Sequence, residues 1–137
     1  MGRKILLVQG PSFEERALVV LAHLASLDPQ AVEVVQYSAA APDPVTDAMI
    51  IVKVAEEQPD LVIFTSTGYD KAAAAVRRFT RDWERPPRIA FISGDEVDLE
   101  NSRKSGFVTI AADSSFEGYA NLSDRAAFLT ALGLSKL

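Results

Sequence analysis

Residues 61–70 read "LVIFTSTGYD": four apolar residues, then three hydroxyl residues, a glycine, a tyrosine and an aspartate. Leu61–Phe64 carries no polar interruption, which is the pattern of a strand covered on both faces, as in the middle of a parallel sheet. Pro59-Asp60 before it reads as a turn, and the polar run after it marks where the strand leaves the core.

Toward the N-terminus, Val45, Ala48, Met49, Val52 and Ala55 recur at helical spacing. Asp43 is placed as a cap and Pro44 in the first turn, so a helix running to Gln58 is predicted, with those five residues as its inner face. "AVEVVQYS" (31–38) alternates well enough to be a strand nearer an edge. Before it, Ala17, Leu18, Leu21, Leu24 and Ala25 form one apolar helical stripe. Ser12 is its expected cap, and Glu14 and Glu15 suit its positive end. "RKILLVQG" (3–10) is another short apolar run, read as a buried parallel strand.

Toward the C-terminus, Asp70 is placed to cap a helix over "KAAAAVRRFTRDW", whose inward stripe reads Ala72, Val76, Phe79 and Trp83. "PPRIAFISGD" (86–95) gives a fourth strand and "EVDLENSRKSG" (96–106) a polar helix closed by Gly106. "FVTIAAD" (107–113) gives a fifth strand, and "LSDRAAFLTALGL" (122–134) a last helix capped by Ser123. Strands alternating with helices across short loops predict an α/β fold in three layers. The expected architecture is a doubly wound, five-stranded parallel sheet, flavodoxin-like, with strand order 2-1-3-4-5. No linker or shift in composition divides the chain, so residues 1–137 are expected to form a single domain.

The chain has no cysteine and one histidine. This excludes disulfides, thiolate metal sites and a cysteine nucleophile, and no transition-metal site is expected. His23 falls mid-helix, where a partly exposed position is expected, and no serine has the setting of a triad nucleophile. No apolar run approaches the roughly 20 residues of a membrane span. A strand beginning within four residues of the first predicts no preceding signal peptide and a cytoplasmic protein. The net charge of −5 argues against nucleic-acid binding, although residues 71–88 carry a local +4 through Lys71, Arg77, Arg78, Arg81, Arg85 and Arg88. That segment is either a partner or anion-binding surface or the solvated side of one helix.

In open α/β sheets, ligands bind beyond the carboxyl ends of the strands, where strand order reverses. The candidate crevice therefore comprises Gly10, Ser12 and Arg16, then Thr65, Ser66, Thr67 and Gly68, then Ser93, Gly94 and Asp95. Backbone N–H groups and hydroxyls there suit an anionic small molecule such as a nucleotide or sugar phosphate. The same residue types serve turns and caps. No nucleotide fingerprint is present, no cofactor is expected, and nothing nominates a catalytic residue. The acidic pairs Glu14/Glu15 and Asp95/Glu96 open helices, a position that favours acids without any catalytic role.

The chain resembles a response-regulator receiver domain over nearly its whole length. "KILLV", "EEQPDLVIFT", "PPRIAFIS" and "SRKSGFVTIAAD" are similar to that family's first strand, third strand with its preceding helix end, fourth strand, and fifth strand with the preceding helix. The resemblance implies a phospho-acceptor at position 65, two magnesium-binding acids at positions 9 and 10, a hydroxyl at Ser93 and a lysine at position 113. This chain has Thr65, Gln9, Gly10 and Asp113 there, and the family's switch aromatic falls at Ile110. The resemblance thus implies a pseudo-receiver that aspartyl phosphorylation does not switch. "TSTGYDKAAAAV" and "FISGDEV" are also similar to cobalamin-binding domains, but the stretch that carries their histidine ligand motif reads "QGPSFEER".

A pseudo-receiver is expected to act as a signalling module through a protein partner or a homodimer. The candidate face is Leu99, Arg103, Lys104, Phe107, Phe116 and Tyr119, read as exposed, with the alternative that Phe116 and Tyr119 fold back over the sheet end. The alternative is a small-molecule sensor or enzyme that uses the crevice. Nucleic-acid contact through Arg77, Arg78, Arg81, Arg85 and Arg88 ranks last.

Overall fold

The computed structural model describes residues 3–11, 14–66, 68–93, 96–111 and 125–134; the side chains of residues 14–18, 93, 96, 98, 99, 102, 111 and 125 lie outside that description. Among the described residues, ten elements follow one another: β1 (Arg3–Gln9), α1 (Glu14–Ala25), β2 (Val32–Ser38), α2 (Pro44–Glu57), β3 (Leu61–Phe64), α3 (Asp70–Thr80), β4 (Arg88–Ser93), α4 (Glu96–Lys104), β5 (Val108–Ala111) and α5 (Arg125–Ala131). The five strands form one parallel sheet in the order β2-β1-β3-β4-β5, as the sequence predicts. β3 is the central strand, and all four of its residues are buried. The more alternating β2 is an edge.

Side chains alternate across a strand, so each buried strand feeds two cores. Ile5, Leu7, Leu61, Ile63, Ala90 and Ile92 face Val20 and Leu24 of α1 and Phe128, Leu129 and Leu132 of α5. Leu6, Val8, Val62, Phe64, Ile89 and Phe91 face Ile50 and Val54 of α2 and Ala72, Ala73 and Val76 of α3. Helices thus cover both faces of the sheet, and an apolar run with no polar interruption is what such strands need.

One helix is rotated relative to the sequence expectation, and a second departs from it at one residue. The inner face of α2 is Thr46, Ile50 and Val54, whereas Val45, Met49 and Val52 are exposed by 68%, 55% and 55%. This helix is apolar on more than one side, so periodicity alone selects no face. The β-branched Ile50 and Val54 fill the space above Leu6, Val8 and Phe64, and the buried Thr46 hydroxyl donates to the Ala41 carbonyl at 2.8 Å. Asp43 caps the helix as expected, its carboxylate accepting from Thr46 N at 2.7 Å.

In α3 the buried residues are Ala72, Ala73, Val76 and Thr80; Phe79 is 46% exposed and meets Trp83 edge-on. Small alanines let this helix lie close to the sheet, and the larger Phe79 falls outside that contact. Asp70 is the first residue of the helix rather than its cap, which is Tyr69. His23 is 9% exposed rather than partly exposed: its ring lies 5.2 Å from that of Phe128, because α5 packs over the end of α1. The expected Ser123 cap lies outside the described residues.

Candidate functional site

The carboxyl ends of β1 and β3 meet beside the point where strand order reverses. Thr65 continues the β3 ladder, its N–H donating to the Val8 carbonyl at 3.1 Å. Its hydroxyl also turns inward, donating to that carbonyl at 3.3 Å, and the residue is fully buried. Ser66, 1% exposed, accepts from the Gly10 N–H at 2.9 Å and so ties the two strand ends together. These hydroxyls serve the scaffold, and neither lies on the surface.

Tyr69 closes the Thr65–Gly68 stretch of the candidate crevice, and it dominates this end of the sheet. It is 1% exposed, stacks 6.3 Å from Phe64 and donates its hydroxyl to the Ala40 carbonyl at 2.5 Å. Its ring lies directly over Gly10. A Cβ at Gly10 would come within 2.8 Å of ring carbon Cε2 and 2.9 Å of Cζ, and closer still to the hydroxyl. Gly68, at φ +98°, gives the left-handed turn that brings Tyr69 back over the sheet edge. Burial foremost, with the carboxylate of Asp47 behind it, raises the Tyr69 phenol above its ordinary pKa. It therefore stays protonated, and a donor, throughout the neutral range. Asp47 is itself shifted upward, first by burial and then by Asp43, with Asp70 adding to this and Lys71 opposing it.

Of the candidate crevice residues, Gly10 and Ser66 are joined by a hydrogen bond, Thr65 is tied to Val8, and Gly68 lies against Pro42. Arg16 falls in the first turn of α1 and Ser93 ends β4, both with side chains outside the description; Ser12, Thr67, Gly94 and Asp95 lie outside the described residues altogether. On the candidate partner face, Arg103 and Lys104 are exposed at the end of α4. Phe107 is a correction: it is 7% exposed, packed into the core under α3 with the Arg77 guanidinium 4.3 Å above its ring. The side chain of Leu99 is outside the description, as are Phe116, Tyr119 and Asp113. Among the described residues, large exposed apolar side chains are Val45, Met49 and Val52 along α2, with Phe79 and Val97 elsewhere. No three His, Asp or Glu side chains among the described residues are arranged to hold a metal ion, and no described helix is long and apolar enough to cross a membrane.

No protein-family model and no curated protein matches the chain. Solved structures do. The signal receiver domain of the response regulator NarL from Mycobacterium tuberculosis is 20% identical, with a TM-score of 0.55 over 96% of this chain and 98% of that one. A LuxR-family two-component response regulator from Aurantimonas sp. SI85-9A1 is 18% identical, with a TM-score of 0.58 over 97% and 84%. A type II dehydroquinase from Butyrivibrio crossotus is 12% identical, with a TM-score of 0.57 over 99% of both chains. What they share with this chain is a fold. Two signalling proteins and an enzyme appear on that one scaffold, so the likeness carries architecture and the site must carry the function.

Proposed function

We propose that the chain is a receiver-like regulatory module that works through protein contacts and is not switched by phosphorylation of an aspartate. The observation that carries this reading is the end of β1 and β3. Gln9 and Gly10 stand where a receiver keeps its two acids. Thr65 stands at the acceptor position with its hydroxyl turned into the sheet, and the Tyr69 ring covers Gly10. Transfer of a phosphoryl group to a carboxylate needs that carboxylate, and a divalent cation to offset the incoming charge. Both Thr65 and Ser66 are buried, so the alternative of an anionic ligand in this crevice draws no support from the geometry. The contact half of the reading draws on the exposed cations Arg103 and Lys104 and on the apolar side chains left in solvent.

The test exposes the purified protein to acetyl phosphate with Mg²⁺, and separately to beryllofluoride with Mg²⁺. Mass spectrometry and amide ¹⁵N–¹H spectra are the readouts. The expected outcome is an unchanged mass and no saturable shifts at Gly10, Thr65 or Gly68. A phosphoryl adduct, or saturable beryllofluoride shifts at those amides, would remove the reading. Sedimentation across a concentration series checks self-association, the simplest form of protein contact, and Arg103→Glu with Lys104→Glu should weaken it if that face is used.

A further inference from the structure

At the opposite end of the sheet, the strands begin around a second concavity of about 300 Å³. Three arginines line it: Arg3 at the start of β1, and Arg85 and Arg88 ahead of and opening β4. Its floor is apolar, made by Ile5, Leu61, Leu132 and Leu134. Arg85 and Arg88 close the local +4 segment that the sequence isolates but the upper crevice does not use.

The single carboxylate in the walls, Asp60, is already engaged, accepting from the Lys4 N–H at 2.8 Å. No ion pair joins Arg3, Arg85 or Arg88 to a carboxylate among the described residues. Arg88 is held in place: its Nη1 donates to the Leu132 carbonyl at 3.3 Å, at the negative end of α5. The same nitrogen lies 2.5 Å from where a Cβ on Gly133 would stand, so the glycine makes room for it. A guanidinium has five N–H donors, and this bond uses one.

We propose that this pocket binds a small amphipathic oxyanion, a phosphate monoester or a carboxylate whose apolar body rests on the leucine and isoleucine floor. Three arginines against one carboxylate among the lining residues favour an anion. The volume, at the small end of the roughly 300–1,000 Å³ of ligand pockets, limits the apolar part to about one ring or a short chain. The inference does not rest on the proposed function, and its test reads the opposite end of the sheet, so either can fail alone.

The test titrates phenyl phosphate, phenylacetate, inorganic phosphate and benzyl alcohol into the protein and follows amide shifts. The two amphipathic anions should give saturable shifts at Arg3, Leu61, Arg88 and Leu134, weakened by added salt. Inorganic phosphate and benzyl alcohol should each bind about tenfold or more weakly. Arg88→Gln should weaken binding by a similar factor. Because Arg88 also anchors α5, Arg85→Gln is the decisive variant: its side chain is exposed and makes no hydrogen bond among the described residues. Loss of affinity in Arg85→Gln, with an otherwise unchanged spectrum, supports the site. Shifts confined to Gly10, Thr65 and Gly68, no saturable binding, or unchanged affinity in Arg85→Gln would overturn it. Equal binding of benzyl alcohol would overturn the role of charge, and equal binding of inorganic phosphate that of the floor.

Discussion

Tyr69 occupies the space above the end of β1 because Gly10, beside it, has no Cβ to contest that space. The two residues sit far apart in the chain, and each has an ordinary local reading: a glycine that ends a strand and a tyrosine that precedes a helix. Only the fold shows that they meet. Gly10→Ala must push the ring away from Phe64 or break its hydrogen bond to Ala40. The expected cost is about 1–3 kcal/mol by urea denaturation, the usual range for overpacking. In a Tyr69→Ala background the same change should cost much less, because the two residues share one contact. An equal cost in both backgrounds would mean that the ring does not fill this space in solution.

At the scale of an element, α2 shows what periodicity can and cannot say. Its existence, start and cap follow from Asp43-Pro44 and the apolar spacing. Its orientation does not, because Val45, Met49 and Val52 form as good a stripe as Ile50 and Val54. The sheet decides between them by shape. Ile50→Ala is therefore expected to cost about 2–5 kcal/mol, in the range of buried aliphatic truncations. Met49→Lys and Val52→Lys should each change stability by no more than about 0.5 kcal/mol, as exposed substitutions do. Denaturation midpoints for the three variants check this directly. Were the stripe read from sequence the buried one, the ranking would invert. The same ambiguity explains Phe79, which matches the helical stripe of α3 but is too large for a face that alanines bring close to the sheet.

For the molecule as a whole, strand order and layering are legible in sequence because each strand is short, apolar and followed by a helix, and few topologies accommodate that pattern. The end of the sheet is legible only as an absence of acids at positions 9, 10 and 65. What replaces them is a packed arrangement, in which Thr65, Ser66 and Tyr69 face inward and bond to backbone groups of neighbouring strands and loops. Under the proposed receiver-like reading, installing a phospho-acceptor therefore takes more than installing a carboxylate. Thr65→Asp would place an acid at a fully buried position, facing the Val8 carbonyl that the threonine hydroxyl now contacts. A buried carboxylate without donors costs several kcal/mol or stays protonated, and in neither state is it a nucleophile in reach of a phosphodonor. Thr65→Asp alone should gain no phosphoryl group from acetyl phosphate and Mg²⁺ by mass spectrometry. Adding Gln9→Asp and Gly10→Asp should still fail while Tyr69 remains, since a side chain at position 10 meets its ring. Adding Tyr69→Ala removes that ring, and this quadruple variant is the one expected to admit a metal and a phosphodonor. A phosphorylated Thr65→Asp protein with Tyr69 intact would show that the ring moves aside readily, and that this end of the sheet is a gate rather than a plug.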